Sequence, residues 1–188
     1  MLKFHRIINA LDTHYPEFID LYSDAFPPSQ QRNATALEFE LLNEPRFFAH
    51  VLINNSDFVG LFNYWAFDRF YYIEHLAIVP DFQNQGFGSE VMERFKKDLH
   101  LPVVFEVEMP STPSKIGRIR FYEKLGFNVL SHKYAQPPYQ KGQFLLPMLL
   151  MSNDIHFADT HFNLIKETLY KNVYHYQPEE INNEDRKL

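Results

Sequence analysis

Leu76-Ala77-Ile78-Val79-Pro80-Asp81-Phe82-Gln83-Asn84-Gln85-Gly86-Phe87-Gly88-Ser89 is the stretch that decides how this chain folds. Its first four residues are apolar and read as the end of a strand, which Pro80 stops. Phe87, Val91, Met92, Phe95 and Leu99 then recur at helical spacing. A strand that runs through a glycine-bearing turn into a helix gathers backbone N–H groups with no intrahelical partner. The helix dipole adds partial positive charge there. Such a junction suits a phosphate or pyrophosphate, and the glycines let the backbone approach it without a Cβ in the way.

The spacing Gln83-x-x-Gly86-x-Gly88 narrows the ligand. No Gly-Lys-Ser/Thr follows, so this is not a P-loop. The third glycine and the βαβ unit of the dinucleotide fingerprint are missing too. A second motif lies downstream, Gly117-Arg118-Ile119-Arg120-Phe121-Tyr122-Glu123-Lys124-Leu125-Gly126-Phe127. Ile116, Ile119, Tyr122 and Leu125 fall on one helical face. Gly126 stands where a helix C-terminal cap belongs, and Phe127 starts a new apolar run.

Together the two motifs resemble the hallmarks of the GNAT superfamily of acyl-CoA-dependent N-acetyltransferases. Gln83-x-x-Gly86-x-Gly88 is similar to its pyrophosphate loop, and Phe121-Tyr122-Glu123-Lys124-Leu125-Gly126-Phe127 to its Tyr-Glu-Lys-x-Gly-Phe helix end. The resemblance covers roughly residues 3–151, with only the two motifs specific.

Composition sets the outer bounds. A chain of 188 residues with 45% hydrophobic and 16% aromatic residues can bury a sizeable core and is too apolar to be disordered. The absence of cysteine removes disulfides, thiolate metal ligands and a cysteine nucleophile. A formal net charge of −6 disfavours general nucleic-acid binding and is compatible with a cationic amine. No uncharged stretch reaches membrane-spanning length, and the first residues lack a secretory core. The expectation is a soluble cytoplasmic protein with no membrane or nucleic-acid partner.

Turns and periodicity predict strands over 3–9, 47–53, 58–67, 70–79, 103–107, 128–134 and 144–151. Helices are expected over 16–26, 35–43 and 87–99 and through the second motif. The order β-α-α-β-β-β-α-β-α-β-β is the GNAT order. The fold class expected is therefore α/β (α+β), a mixed, mostly antiparallel sheet flanked by helices, with strands four and five splayed. Residues 1–153 are expected to form the acetyltransferase domain. Residues 154–188 form a C-terminal extension: a helix from Asp154 to Tyr174, packed on the domain or on a partner, and a frayed polar tail.

The resemblance implies acetyl-CoA as co-substrate, with no metal. Backbone groups of Leu76, Ala77 and Ile78 would pair with the pantetheine arm and polarise the thioester carbonyl. Gln83, Asn84, Gln85, Gly86, Phe87, Gly88 and Ser89 would hold the pyrophosphate. Tyr122 corresponds to the tyrosine that commonly lies near the CoA sulfur as general acid; otherwise it is a packing residue.

Glu74 is the expected base. Alternation places it on the face of Tyr72, Leu76 and Ile78, where partial desolvation would raise its pKa. It could instead anchor the substrate's charge or pair with an arginine. His75 faces the other way unless a bulge shifts the register. Glu106 and Glu108 share a face of their strand and either ring the amine pocket or face solvent. Lys115, Arg118 and Arg120 reach the CoA phosphates or form a solvated helix face. The function expected is acetyl transfer to a primary amine of a small molecule or peptide. The alternative is a CoA-binding regulatory or interaction module without transfer, and a homodimer stays open.

Overall fold

The computed structural model describes residues 1–98, 100–140 and 142–176. Leu99 and the tail over 177–188, both part of the expectations above, lie outside them. The first strand and first two helices are β1 (Leu2–Ile7), α1 (Tyr15–Ala25) and α2 (Ala34–Asn43). Then come β2 (Phe47–Asn54), β3 (Asp57–Ala66), β4 (Tyr71–Ile78), α3 (Phe87–Asp98), β5 (Val103–Glu108) and α4 (Pro113–Lys124). The chain continues through β6 (Asn128–Val129), β7 (Tyr134–Gln136), β8 (Leu146–Ser152), α5 (Ile155–Thr160) and α6 (Phe162–Thr168), into a π-helical turn at Leu169–Val173.

All strands join one sheet in the order β1-β2-β3-β4-β5-β8-β6, with β7 also on β8. Every pairing is antiparallel except β4 with β5. That parallel pair holds only where Tyr71–Ile73 meets Val103–Phe105. Beyond it β4 runs on to Ile78 and β5 to Glu108, so the two strands part into a gap. The expected mixed, mostly antiparallel sheet with splayed fourth and fifth strands is the observed architecture.

The sheet carries a core on each face. Phe18 and Tyr22 of α1, Leu37 of α2, and Ile165 and Leu169 near the C-terminus cover one side, packed with Trp65, Tyr72 and Leu150. Val91, Met92 and Phe95 of α3 and Ile119 of α4 cover the other, against Phe62, Phe105, Phe127 and Met151. The segment after Ser152 thus packs into the same core as α1 and α2. The single helix expected there is broken at His161, and Asp154 caps its first piece by accepting the Phe157 N–H at 2.9 Å. The strand expected over 128–134 is likewise split into β6 and β7, both pairing with β8.

One irregularity positions the site. Across β3 and β4, Asn63 pairs with His75 and Tyr64 with Ile73, which leaves Glu74 as the extra residue of a β-bulge. Simple alternation fails here. Leu76 and Ile78 join the α3/α4 core, whereas Glu74 and His75 both turn toward the α1 side and meet Tyr139. The shared face expected for Glu74, Leu76 and Ile78 is therefore corrected. Among the described residues, no helix is long and apolar enough to cross a membrane.

Candidate active site

The glycine loop forms as its local chemistry dictates. A 3-10 turn at Pro80–Phe82 follows β4, and Asn84 and Gly86 then take φ of 61° and 89°. Gly86 makes that reversal without steric cost. Two glutamines brace the loop: Gln83 Nε2 donates to the Ile78 carbonyl at 3.0 Å, and Gln85 Nε2 to the Asp81 carbonyl at 2.8 Å. The Glu90 N–H bonds the Gly86 carbonyl at 3.0 Å as the first turn of α3 closes. The N–H groups of Phe87, Gly88 and Ser89 precede that bond and point out of the helix start.

These N–H groups border a cavity of about 580 Å³. Leu76, Ile78, Gln83, Asn84, Gly86, Phe87, Gly88 and Ser89 line it, with Ser114, Arg118, Phe121 and Tyr122 from α4. Ala77 and Gln85, expected in the same set, do not line it. The Val79 N–H bonds the Val59 carbonyl at 3.0 Å, so by alternation the backbone polar groups of Ala77 also face β3. Those of Leu76 and Ile78 face the gap toward β5. Gln85 spends its side-chain amide inside the loop.

Tyr122 is held by the end of its own helix. The Phe127 N–H reaches the Tyr122 carbonyl at 3.1 Å and the Gly126 N–H the Glu123 carbonyl at 3.0 Å, with Gly126 at φ 84°. This pair of bonds is a Schellman cap. The Tyr122 ring packs on Phe105 with centroids 4.5 Å apart. Burial pushes its hydroxyl pKa up while nearby Arg118 pulls it down; the net shift is upward, so at neutral pH it is a proton donor.

A second cavity, of about 220 Å³, opens on the far side of Tyr122. Leu76, Arg118 and Tyr122 line both. Phe26 and Pro27 after α1, Glu74 and His75 of β4, Phe105 to Glu108 of β5, Gln136, Tyr139 and Met148 are also in its wall.

Its three carboxylates differ. Glu74 is buried against the Arg32 guanidinium and accepts hydrogen bonds from Trp65 Nε1 at 2.7 Å and the Tyr139 hydroxyl at 2.8 Å. Burial alone would raise its pKa, but Arg32, His75 and these donors outweigh it and hold the carboxyl below its usual range. The raised pKa expected for Glu74 is thus reversed, and its arginine partner is Arg32. Glu108 is paired with Lys115 and Arg118, each at 3.2 Å. Glu106 has no cation within salt-bridge distance among the described residues. Burial pushes it up to about 7, although hydrogen bonds from Tyr134, Tyr174 and Gln136 pull the other way.

His75, 3% exposed, donates from Nε2 to the Gln30 carbonyl at 2.9 Å, and burial lowers its pKa. It is a wall residue. No group of three or more potential metal ligands is present among the described residues.

The model of the Acetyltransferase (GNAT) family matches residues 15–127. A protein from Bacteroides thetaiotaomicron assigned to the GNAT family is 32% identical, with a TM-score of 0.87, over 93% of this chain and 99% of its own. Two more distant structures share the fold. A GNAT family acetyltransferase from Elizabethkingia anophelis with acetyl-CoA bound is 17% identical, TM-score 0.54, over 80% of this chain and 96% of its own. A Bacillus subtilis acetyltransferase in complex with CoA is 16% identical, TM-score 0.55, over 81% and 97%. Comparison with curated proteins finds no match. The family model covers more than half of the chain and ends on the capping Gly126-Phe127 pair, and the 32% identical structure spans nearly all of it: the chain belongs to the GNAT family of acetyltransferases.

Proposed function

We propose that the protein transfers the acetyl group of acetyl-CoA directly to a primary amine. The observation that carries this is the meeting of two cavities at Leu76, Arg118 and Tyr122, one bordered by the start of α3 and the other by a carboxylate with no ion-pair partner among the described residues. The larger cavity takes the donor. Its glycine loop suits a pyrophosphate, and the backbone of Leu76 with the N–H of Ile78, facing the gap, suits the amide-bearing pantetheine arm as an added strand. Two fold neighbours carry acetyl-CoA or CoA.

The smaller cavity takes the acceptor. With Glu74 committed to Arg32 and Glu108 to Lys115 and Arg118, Glu106 is the carboxylate left to meet one ammonium. A group poised near neutral pH is suited to general-base work. Glu106 accepts the amine's proton, directly or through water. The amine nitrogen then attacks the thioester carbonyl carbon, and the oxyanion is met by a backbone N–H of Leu76 or Ile78. As the C–S bond breaks, the electron pair leaves on sulfur and Tyr122 protonates it, while the adduct nitrogen loses its second proton to water and Tyr122 regains its own from solvent. The products are an acetamide and free CoA thiol.

The test is thiol release from acetyl-CoA with a panel of primary amines, alcohols and short peptides. Release dependent on an amine, with the acetylated amine recovered, supports the reading. Transfer only to alcohols, or no transfer to any acceptor despite acetyl-CoA binding, contradicts it; the latter would leave a CoA-binding module.

A further inference from the structure

Glu106 sits on β5, but the groups that hold its carboxylate come from much later in the chain. Tyr134 and Gln136 reach it from β7. The third donor is Tyr174, just past the π-helical turn, whose hydroxyl is 2.7 Å from Glu106 Oε2. The same hydroxyl lies 2.9 Å from that of Tyr72 and 3.0 Å from Gln136 Nε2. A hydroxyl has one proton to give, and a carboxylate only accepts. Tyr174 therefore donates to Glu106 and accepts from Tyr72 and Gln136, which fixes the direction of its O–H bond.

The segment that delivers Tyr174 is itself tied to the acceptor side. Arg32, the partner of Glu74, also donates to the Val173 carbonyl. His175 Nε2 meets Glu40 Oε1 at 2.7 Å, and the Tyr170 hydroxyl donates to the Ala135 carbonyl at 2.6 Å. Tyr174 is 6% exposed and Val173 1%.

We propose that Tyr174 is a positioning residue for acetyl transfer: its hydroxyl, carried in by the C-terminal segment, aims the Glu106 carboxylate into the acceptor cavity. This rests on the reading of Glu106 as the base. A base must stand within hydrogen-bond reach of the proton it takes. A carboxylate bonded on both oxygens holds one orientation, and small misplacements are costly in rate. Tyr174 also stabilises the charged form of Glu106 through its donated bond.

Other groups around the carboxylate do not titrate with it. Tyr72 of β4, Tyr134 of β7, Tyr139 and Tyr174 are all raised by burial, and Tyr170 is pushed up to about 12. Glu74 stays ionised beside Arg32, Tyr122 is raised, and His75 is lowered.

The experiment is the pH profile of kcat/KM for the full chain and for Tyr174→Phe, Tyr170→Phe and Glu106→Gln. Tyr174→Phe removes one oxygen and keeps the ring. It is expected to move the acidic limb upward by on the order of one pH unit, the size expected for one hydrogen bond to a charged group, and to lower kcat. Tyr170→Phe, in the same segment but off the carboxylate, leaves the limb in place. Glu106→Gln abolishes it. An unmoved limb in Tyr174→Phe, with the limb lost in Glu106→Gln, overturns the role of Tyr174 alone. A limb that survives Glu106→Gln overturns the reading of Glu106 as base. Should Tyr174→Phe not fold, Tyr72→Phe frees the same hydroxyl from its other side. A smaller upward shift is then expected, and no shift overturns the proposal.

Discussion

Arg32 and Glu74 meet inside the protein, guanidinium against carboxylate, with side-chain exposures of 3% and 0%. They are 42 residues apart in the chain. Burial would lower the Arg32 pKa, but Glu74 outweighs it and the net shift is upward. Glu40 adds a second carboxylate 3.6 Å from Arg32 Nε. Glu74 is therefore bound into the wall of the smaller cavity.

Glu74→Gln should act first on stability. It leaves the buried Arg32 charge with only Glu40 beside it, and breaking a buried pair costs about 3 kcal/mol. Chemical denaturation checks this. The folded variant should keep the acidic limb of its pH–rate profile. Loss of that limb, with stability unchanged, would return Glu74 to the role of base.

Glu106 should leave a trace in stability against pH. Its folded pKa of about 7 lies above the ordinary carboxylate value of 4.5, so the native state holds the proton more tightly. Its contribution is fully present below about 4.5 and is lost as pH rises through 7. His50, lowered to about 4, and His75, also lowered, act in the opposite sense. The informative reading is thus the melting temperature of the natural protein minus that of Glu106→Gln. That difference should fall between pH 4.5 and 7. A flat difference would mean that the carboxyl titrates normally.

What the sequence revealed tracks how local each cause is. The Gln83–Ser89 loop and the Gly126 cap are legible because φ at glycine, N–H groups at a helix start and a terminal carbonyl pair are properties of neighbours in the chain. The bulge at Glu74 is invisible because it is set by pairing with Asn63 and Tyr64 on β3. Alternation therefore gives the wrong face for Glu74, and although pairing with an arginine is legible as an alternative, nothing in the spacing singles out Arg32, 42 residues away. Glu106 was visible as a strand carboxylate, but its environment depends on Tyr134 and Tyr174, 28 and 68 residues away. No spacing rule connects them.

Tyr122→Phe keeps the ring against Phe105 and removes only the hydroxyl. If that hydroxyl protonates the departing thiolate, kcat and kcat/KM should fall together, with CoA affinity nearly unchanged. Steady-state kinetics with the best acceptor, beside calorimetric titration with CoA, reads both. Full activity would make Tyr122 a packing residue.

Gly88→Val should abolish CoA binding in a folded protein. A Cβ at Gly88 would lie 3.6 Å from Phe121 Cζ and 4.0 Å from Ile78 Cγ1, ordinary contacts that the fold tolerates. The added methyl groups, however, crowd the helix start where the pyrophosphate must approach. Unchanged affinity in calorimetry would move the phosphate site elsewhere.

The most direct measurement is a crystal structure of the protein with CoA. The two joined cavities predict the pyrophosphate within hydrogen-bond distance of the N–H groups of Phe87, Gly88 and Ser89. They predict the pantetheine arm along Leu76 and Ile78, and the sulfur beside the Tyr122 hydroxyl, facing the cavity that holds Glu106. A pyrophosphate bound away from the start of α3, or a sulfur pointing away from Tyr122 and the Glu106 cavity, would contradict the assignment of donor and acceptor sites.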